Sequence, residues 1–188
     1  MACSHNVGYS RGLQFGRPYV QHNNFKYCPR CGHDSFIFDG LKKFRCTDCE
    51  FTFYFNPAAA VAAVIVREGC LLAAVRAKDP GEGLLDLPGG FVDPGEAADT
   101  ALARELREEL GVEPSLMHYM CSSHNVYHYR QVDYTICDVF YRCEFPPDAE
   151  FKADDDIAAL RWIKISELDP NQFAFVSART VIERLRSE

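Results

Sequence analysis

At 188 residues the chain has room for one large domain, or for one ordinary domain with a small appendage, and is too short for a large multidomain assembly. A composition of 47% hydrophobic, 13% aromatic and 25% charged residues is that of a folded, water-soluble protein, not a disordered or fibrous one. The formal charge of −7 has the wrong sign for gripping nucleic acid through a broad basic face, so an anionic substrate must be met by a few placed Arg or Lys or by bound cations.

The longest apolar run, 58–66, is less than half of the roughly 20 residues that a spanning helix needs. Met1 to Asn6 lead into no apolar stretch of the kind that marks a secretory signal. The expectation is a cytoplasmic protein with no membrane partner. In that setting nine cysteines, an odd number, argue against a disulfide framework and make metal ligation the first alternative.

In chain order, 1–24 reads as an irregular arm, polar and aromatic without a period. From 25 to 55 comes a small cysteine-bearing module in which Phe36, Phe38, Phe44, Phe51, Phe53 and Phe55 mostly alternate with other residues, as in short strands. After Asn56-Pro57, strands are expected over 58–66 and 71–75 with a turn at Glu68-Gly69, then a loop at 79–83, residues 84–87, and a second loop at 88–95. A helix over 96–110, stopped by Gly111, follows. Strands over 112–121, 134–143 and 159–165 and a last helix over 177–186 complete a mixed α/β pattern in the 56–188 domain.

Cys28-Pro29-Arg30-Cys31 and Cys46-Thr47-Asp48-Cys49 are two C-x-x-C pairs, fourteen residues apart. Zn²⁺ takes four soft ligands in a tetrahedron, and two tight turns that each present two thiolates supply them with little strain. These four cysteines predict a structural zinc ribbon with no open position for catalysis, and a module that leans on the metal to fold. Gly32 suits the turn after the first pair.

Within 90–112, Glu105, Glu108 and Glu109 stand at i, i+3 and i+4, so three carboxylates share one helical face. Like charges at this spacing repel by a few tenths of a kcal/mol per pair, and Arg104 and Arg107 neutralise only part of the face. Hard oxygen ligands grouped in this way are what Mg²⁺ or Mn²⁺ requires. Leu102, Leu106 and Leu110 form a separate stripe for packing on a sheet, and Gly89-Gly90 offers bare backbone just before the helix.

Residues 90–112 fit the Nudix box, G-x5-E-x7-R-E-U-x-E-E-x-G-U with U aliphatic, at Gly90, Glu96, Arg104, Glu105, Leu106, Glu108, Glu109, Gly111 and Val112. The resemblance to Nudix hydrolases implies an α/β/α sandwich with a mixed sheet and Mg²⁺- or Mn²⁺-dependent hydrolysis of a nucleoside diphosphate linked to another group. It implies metal ligation by Glu105, Glu108, Glu109 and the Gly89 carbonyl, with Arg104 orienting a helix glutamate. The general base is left between Glu109 and a downstream acid, Asp156 ahead of Asp155. The resemblance allows a homodimer.

A zinc ribbon ahead of such a domain resembles the NADH pyrophosphatase group, which cleaves dinucleotides and NAD-type RNA caps. That group also carries a Ser-Gln-Pro-Trp-Pro-Phe-Pro signature after the box, and here the corresponding stretch, 119–129, lacks it. NADH specificity is therefore not carried over, and a dinucleotide, ADP-ribose or a nucleoside triphosphate all stay open as substrates. Tyr127 and Tyr129 are candidates to stack on a base and Arg130 to meet a phosphate, or else this stretch is a hairpin packed on the sheet. Arg76 and Lys78 are further candidate phosphate contacts. The competing class is a non-catalytic nucleotide sensor whose ribbon contacts protein or nucleic acid; nucleic acid is expected only as a capped RNA substrate. Cys3, Cys70, Cys121, Cys137 and Cys143 have no assigned role.

Overall fold

The computed structural model describes residues 25–39, 42–130 and 132–187, and the expected 1–24 arm lies outside them. The chain divides into two compact units, 1–54 and 55–188. In the first, β1 (Phe36–Phe38), β2 (Lys43–Cys46) and β3 (Thr52–Tyr54) form an antiparallel sheet in that order. Its core is aromatic. Phe44 is 2% exposed, with the rings of Phe25, Phe36 and Phe53 centred 5.3, 4.7 and 5.6 Å from its own. Side chains alternate along β2, so Phe44 and Cys46 point inward while Arg45 faces solvent.

The second unit begins with β4 (Ala58–Val64), β5 (Val66–Arg67), β6 (Cys70–Arg76), β7 (Leu85–Asp86) and β8 (Gly89–Phe91). Helix α1 (Ala98–Leu110), the long strands β9 (Leu116–Tyr129) and β10 (Val132–Glu144), β11 (Ile157–Lys164) and α2 (Val176–Ser187) follow. Strands β8, β4, β10 and β9 make one sheet, with β4 and β10 parallel and the other pairs antiparallel. Strands β11, β6 and β5 make the other, with β7 on β6.

Strand β6 shows why the layers stack as they do. Its residues are apolar on both parities, so both faces must be covered. Leu71, Ala73 and Val75 pack with Val181, Ile182 and Leu185 of α2. Leu72 and Ala74 pack with Leu102, Leu106 and Leu110 of α1. Each of those leucines is fully buried, which stabilises the seat of α1 by about 1.5–3 kcal/mol apiece. This is the α/β/α arrangement with a mixed sheet. No helix among the described residues is long and apolar enough to cross a membrane.

Several boundaries differ from expectation, each for a local reason. Helix α1 starts at Ala98 instead of residue 96 because Glu96 closes a turn with Asp93, whose backbone N–H donates to the Glu96 carboxylate at 3.2 Å. The strand expected over 112–121 starts at Leu116, beyond Pro114, which has no N–H for a ladder, and runs on to Tyr129 as half of a hairpin with β10. The glycine loop holds the two short strands β7 and β8.

Candidate active site

Helix α1 lies beside β8 and brings Glu109 to a cleft there, and Gly89 is the residue that sets the spacing. Its φ of 143° is a glycine conformation, and a Cβ there would run into the Val61 carbonyl of β4. The next residue serves α1: a Cβ on Gly90 would lie 2.5 Å from the Glu105 carboxylate. Bare backbone at both positions lets the start of the box, strand β4 and the acidic face meet.

Arg104 organises that face. Its Nε and one terminal nitrogen donate to the two oxygens of Glu96 at 3.1 and 3.0 Å. The other terminal nitrogen donates to Glu105 at 2.8 Å and to Glu108 at 3.1 Å, while the nitrogen that meets Glu96 also donates to the Phe91 carbonyl at 3.1 Å. Hydrogen bonds to a charged partner contribute about 1.5–3 kcal/mol each, so Arg104 outweighs the few tenths of repulsion between neighbouring glutamates. The pair with Glu108, half exposed, adds little. Hydrogen bonding to Glu96, then to Glu105, raises the Arg104 pKa and keeps it charged.

Glu109 is treated differently. It is 8% exposed and accepts from the Gly89 N–H at 2.8 Å. Burial pushes its carboxyl up to about 8 against that hydrogen bond, and the negative charges of Glu105, Asp86 and Asp155 push the same way. Burial also raises Glu105, opposed by Arg104.

Arg76, Asp86, Gly89, Glu109, Tyr127 and Asp156 line one cleft. Arg76 is bound to Asp86 at 2.8 Å, donates to the Pro80 carbonyl at 2.7 Å and lies 4.8 Å over the Phe175 ring. Burial, partly offset by Arg76, pushes Asp86 up to about 6. Asp156 pairs with Lys78. The acidic run sits here because the last turn of α1 holds it: the Glu109 and Leu110 carbonyls accept from the N–H groups of Asp154 and Lys152 at 3.0 and 3.1 Å.

Beside the cleft, Phe91, Tyr127 and Phe175 form an aromatic wall, with Phe91 and Phe175 centred 5.6 and 5.8 Å from Tyr127. Tyr129 extends it outward at 6.5 Å. Arg130 is not among the residues lining the cleft beside Glu109. It occupies the hairpin end with a φ of 46°, its guanidinium 5.2 Å over the Tyr129 ring.

In the first unit the four thiols of Cys28, Cys31, Cys46 and Cys49 lie within 4.8 Å of one another, the one such set of three or more ligand atoms among the described residues. Cys28 to Cys49 is 3.8 Å and Cys31 to Cys46 is 3.7 Å. A tetrahedron with Zn–S bonds of about 2.3 Å has edges of about 3.8 Å, so the donor set fits zinc. Each pair is followed by a residue of positive φ, Gly32 at 79° and Glu50 at 58°. Backbone N–H groups of Cys49 and Asp48 hold the Cys46 thiol below its ordinary value, which favours the thiolate.

A family model described as NUDIX domain matches residues 56–185. The chain belongs to the Nudix family. An ADP-ribose pyrophosphatase of Methanocaldococcus jannaschii is 38% identical over 76 residues, 40% of this chain and 41% of that protein. An NAD-capped RNA hydrolase, NudC, of Shigella flexneri is 31% identical over 112 residues, 60% of this chain and 42% of its own. The matches thus span about two fifths of these relatives. Among solved structures, a MutT Nudix hydrolase from Burkholderia pseudomallei superposes with a TM-score of 0.59 at 27% identity, over 68% of this chain and 97% of that one. A Nudix hydrolase from Nitrosomonas europaea gives 0.63 at 23% identity over 87% and 92%, a likeness of fold.

The Nudix helix brings Glu105, Glu108 and Glu109 to one face without gathering their oxygens as tightly as the thiols, because Arg104 draws the first two while Glu109 turns to Gly89. Hard carboxylate oxygens beside bare backbone fit a divalent cation by donor chemistry. Glu96, a box residue given no role in the sequence reading, is the bidentate partner of Arg104, and the arginine bond holds its carboxyl below the usual range. Asp86, Phe91 and Phe175 were not anticipated either. Asp86 stands three residues ahead of Gly89 as the one acid in the apolar stretch 84–88, which was its available signal.

A pH dependence follows. Acids whose folded pKa is raised keep a proton that the unfolded chain releases, so stability falls as pH rises between the two values. For Glu109 and Asp86 that window opens near their ordinary carboxylate values and closes at about 8 and about 6. Protein kept free of Mg²⁺ and Mn²⁺ is expected to lose melting temperature from pH 5 to pH 8, and Glu109→Gln to flatten that loss. A melting temperature that climbs over this range would contradict the burial of these acids.

Proposed function

We propose that this chain is a Mg²⁺- or Mn²⁺-dependent pyrophosphohydrolase that cleaves the diphosphate of a nucleoside diphosphate linked to another group, ADP-ribose or a dinucleotide foremost. The observation that carries the reading is Glu109. It is a buried carboxylate on the cleft wall, tied to the Gly89 backbone, on the same helical face as Glu105 and Glu108. A sheet-packing helix has no structural need of a buried acid, and burying one unpaired is costly.

Glu105, Glu108, Glu109 and the Gly89 carbonyl would hold the cation, which would supply charge neutralisation on the phosphoryl oxygens. Glu109, on the cleft wall, takes the proton of the attacking water. Asp156 lines the same cleft and is positioned by Lys78. Arg104, through Glu96 and the Phe91 carbonyl, fixes the rotamers of Glu105 and Glu108. Arg76, held by Asp86, offers positive charge toward a phosphate, and Tyr127 with its aromatic neighbours holds the nucleoside. The two relatives named for ADP-ribose and NAD-capped RNA hydrolysis agree with this substrate class.

We further propose that residues 25–55 form a Zn²⁺ ribbon and 56–188 the hydrolase domain. The test is incubation of the purified chain and Mg²⁺ or Mn²⁺ with ADP-ribose, NADH, diadenosine polyphosphates, FAD and nucleoside triphosphates, with products resolved by chromatography. Release of mononucleotides from a diphosphate-linked substrate is expected. Binding without turnover of any of these with either metal would replace the hydrolase by a nucleotide sensor.

A further inference from the structure

The buried polar and charged side chains of the second unit are Glu109, Asn125, Asp138 and Ser177, at 8%, 6%, 9% and 2% exposure. Glu109 has its place on the acidic helix. The other three form a separate cluster on three different elements, β9, β10 and α2. Ser177 donates its hydroxyl to one oxygen of Asp138. Asn125 donates its side-chain amide to the same carboxylate, while its own carbonyl oxygen accepts from the Val126 N–H at 2.9 Å.

A buried carboxylate is costly, and neither the Nudix helix nor the packing of α2 calls for one in this place. Asp138 shares an inward strand face with Ile136 and Phe140, where an apolar residue would pack without penalty. All three polar residues line a cavity of about 100 Å³ that opens to solvent. Its apolar walls include Val61, Ile136 and Phe140, and the aromatic trio Phe91, Tyr127 and Phe175 also borders it. Gly89, Arg76 and Asp86 are common to this cavity and to the cleft beside Glu109, so the two adjoin.

Flat aromatic walls and a buried acceptor describe a planar heterocycle with a donor on its edge. An ionised carboxylate accepts at about four positions, and two are taken by Ser177 and Asn125. Burial pushes the Asp138 carboxyl above its ordinary range, and the hydrogen bonds from Ser177 and Asn125 oppose that shift in favour of the accepting form. The remaining acceptor capacity belongs to a side chain that lines the cavity.

We propose that Asp138 reads an exocyclic amino group on the nucleobase of the substrate, so that the site selects an amino-bearing base such as adenine over its carbonyl counterpart, hypoxanthine. This rests on the nucleotide reading given above and adds to it a base preference and the residue that sets it. A carbonyl oxygen in the same position faces the Asp138 carboxylate acceptor to acceptor, and each loses a hydrogen bond beside a buried side chain. Such a mismatch costs roughly tenfold to a hundredfold in affinity.

The test compares binding of AMP and IMP to the full chain by titration calorimetry, beside kcat/KM for ADP-ribose and its hypoxanthine analogue. Wild type is expected to favour the amino form by at least about tenfold in both. Asp138→Asn, whose amide donates as well as accepts, is expected to bring AMP and IMP to within about threefold. Equal binding of AMP and IMP by wild type, or an undiminished preference in a folded D138N, overturns the proposal. The wild-type comparison decides alone if D138N fails to fold. A preference for AMP without turnover of any substrate removes the hydrolase reading and leaves this one standing. Turnover with indifferent binding does the reverse.

Discussion

Glu109→Gln is expected to lower kcat by about 10²–10⁴-fold, the range for loss of a positioned proton acceptor, while the metal-free protein keeps or gains stability above pH 8. The two effects have one cause. The wild-type carboxyl, pushed up to about 8 by burial, must be carried as a buried anion at higher pH. A glutamine retains an oxygen to accept from the Gly89 N–H and carries no charge. Steady-state rates with Mg²⁺ and a melting curve at pH 9 on the same preparation measure both. Turnover near the wild-type level sinks both roles proposed for Glu109, as base and as cation ligand. Lost activity with a lowered melting temperature would instead mark Glu109 as structural.

Removal of zinc is expected to abolish the folded state of the ribbon while signals from 55–188 persist. In the described part of that unit the fully enclosed large side chain is Phe44, assisted by partly covered phenylalanines. Aromatic burial of this kind contributes about 1.5–3 kcal/mol per ring. Ordering the backbone costs about 1–2 kcal/mol per residue, so a segment of this length falls well short on its own rings. Zinc bound to four thiolates contributes on the order of 10–16 kcal/mol, enough to reverse the sign. Amide spectra of the full chain before and after a zinc chelator, and again with Zn²⁺ restored, read this out. Cys46→Ser should reproduce the chelated spectrum, and ribbon resonances that stay dispersed without zinc would refute the metal's structural role.

Much of the site was legible because covalent spacing alone produces it. A helix puts Glu105, Glu108 and Glu109 on one face whatever surrounds it, and two C-x-x-C turns bring pairs of thiols together by local geometry. What sequence could not show was the partner each group takes. Arg104 meets Glu105 and Glu108 on its own helix, yet its two-pronged partner is Glu96, eight positions back across a turn that no helical periodicity describes. Arg130 was a reasonable phosphate contact by its place beside aromatic residues. The hairpin, however, runs further than the expected strand ending at 121, and Arg130 stands at its end over the Tyr129 ring.

Asp138 and Ser177 escaped for another reason. Each is a single polar residue in an apolar pattern, and its meaning depends on elements far apart in the chain. The available signal was parity: in β10, Ile136, Asp138 and Phe140 share one side, so an acid occupied a core position. In α2, Ser177 leads the stripe of Val181 and Leu185. Neither signal names a ligand until β9, β10 and α2 are brought to one cavity.

Arg104 gives the acidic face a resident counter-ion. Glu105 and Glu108 therefore do not wait as bare anions, and admitting a divalent cation is an ion exchange within a closed set of carboxylates. On the proposed reading, affinity for the cation would be a difference between two attachments, set as much by how firmly Glu96, Asp93 and the Phe91 carbonyl anchor the guanidinium as by the glutamates themselves. Residues that never touch the metal would thus tune the cation concentration at which the proposed activity begins.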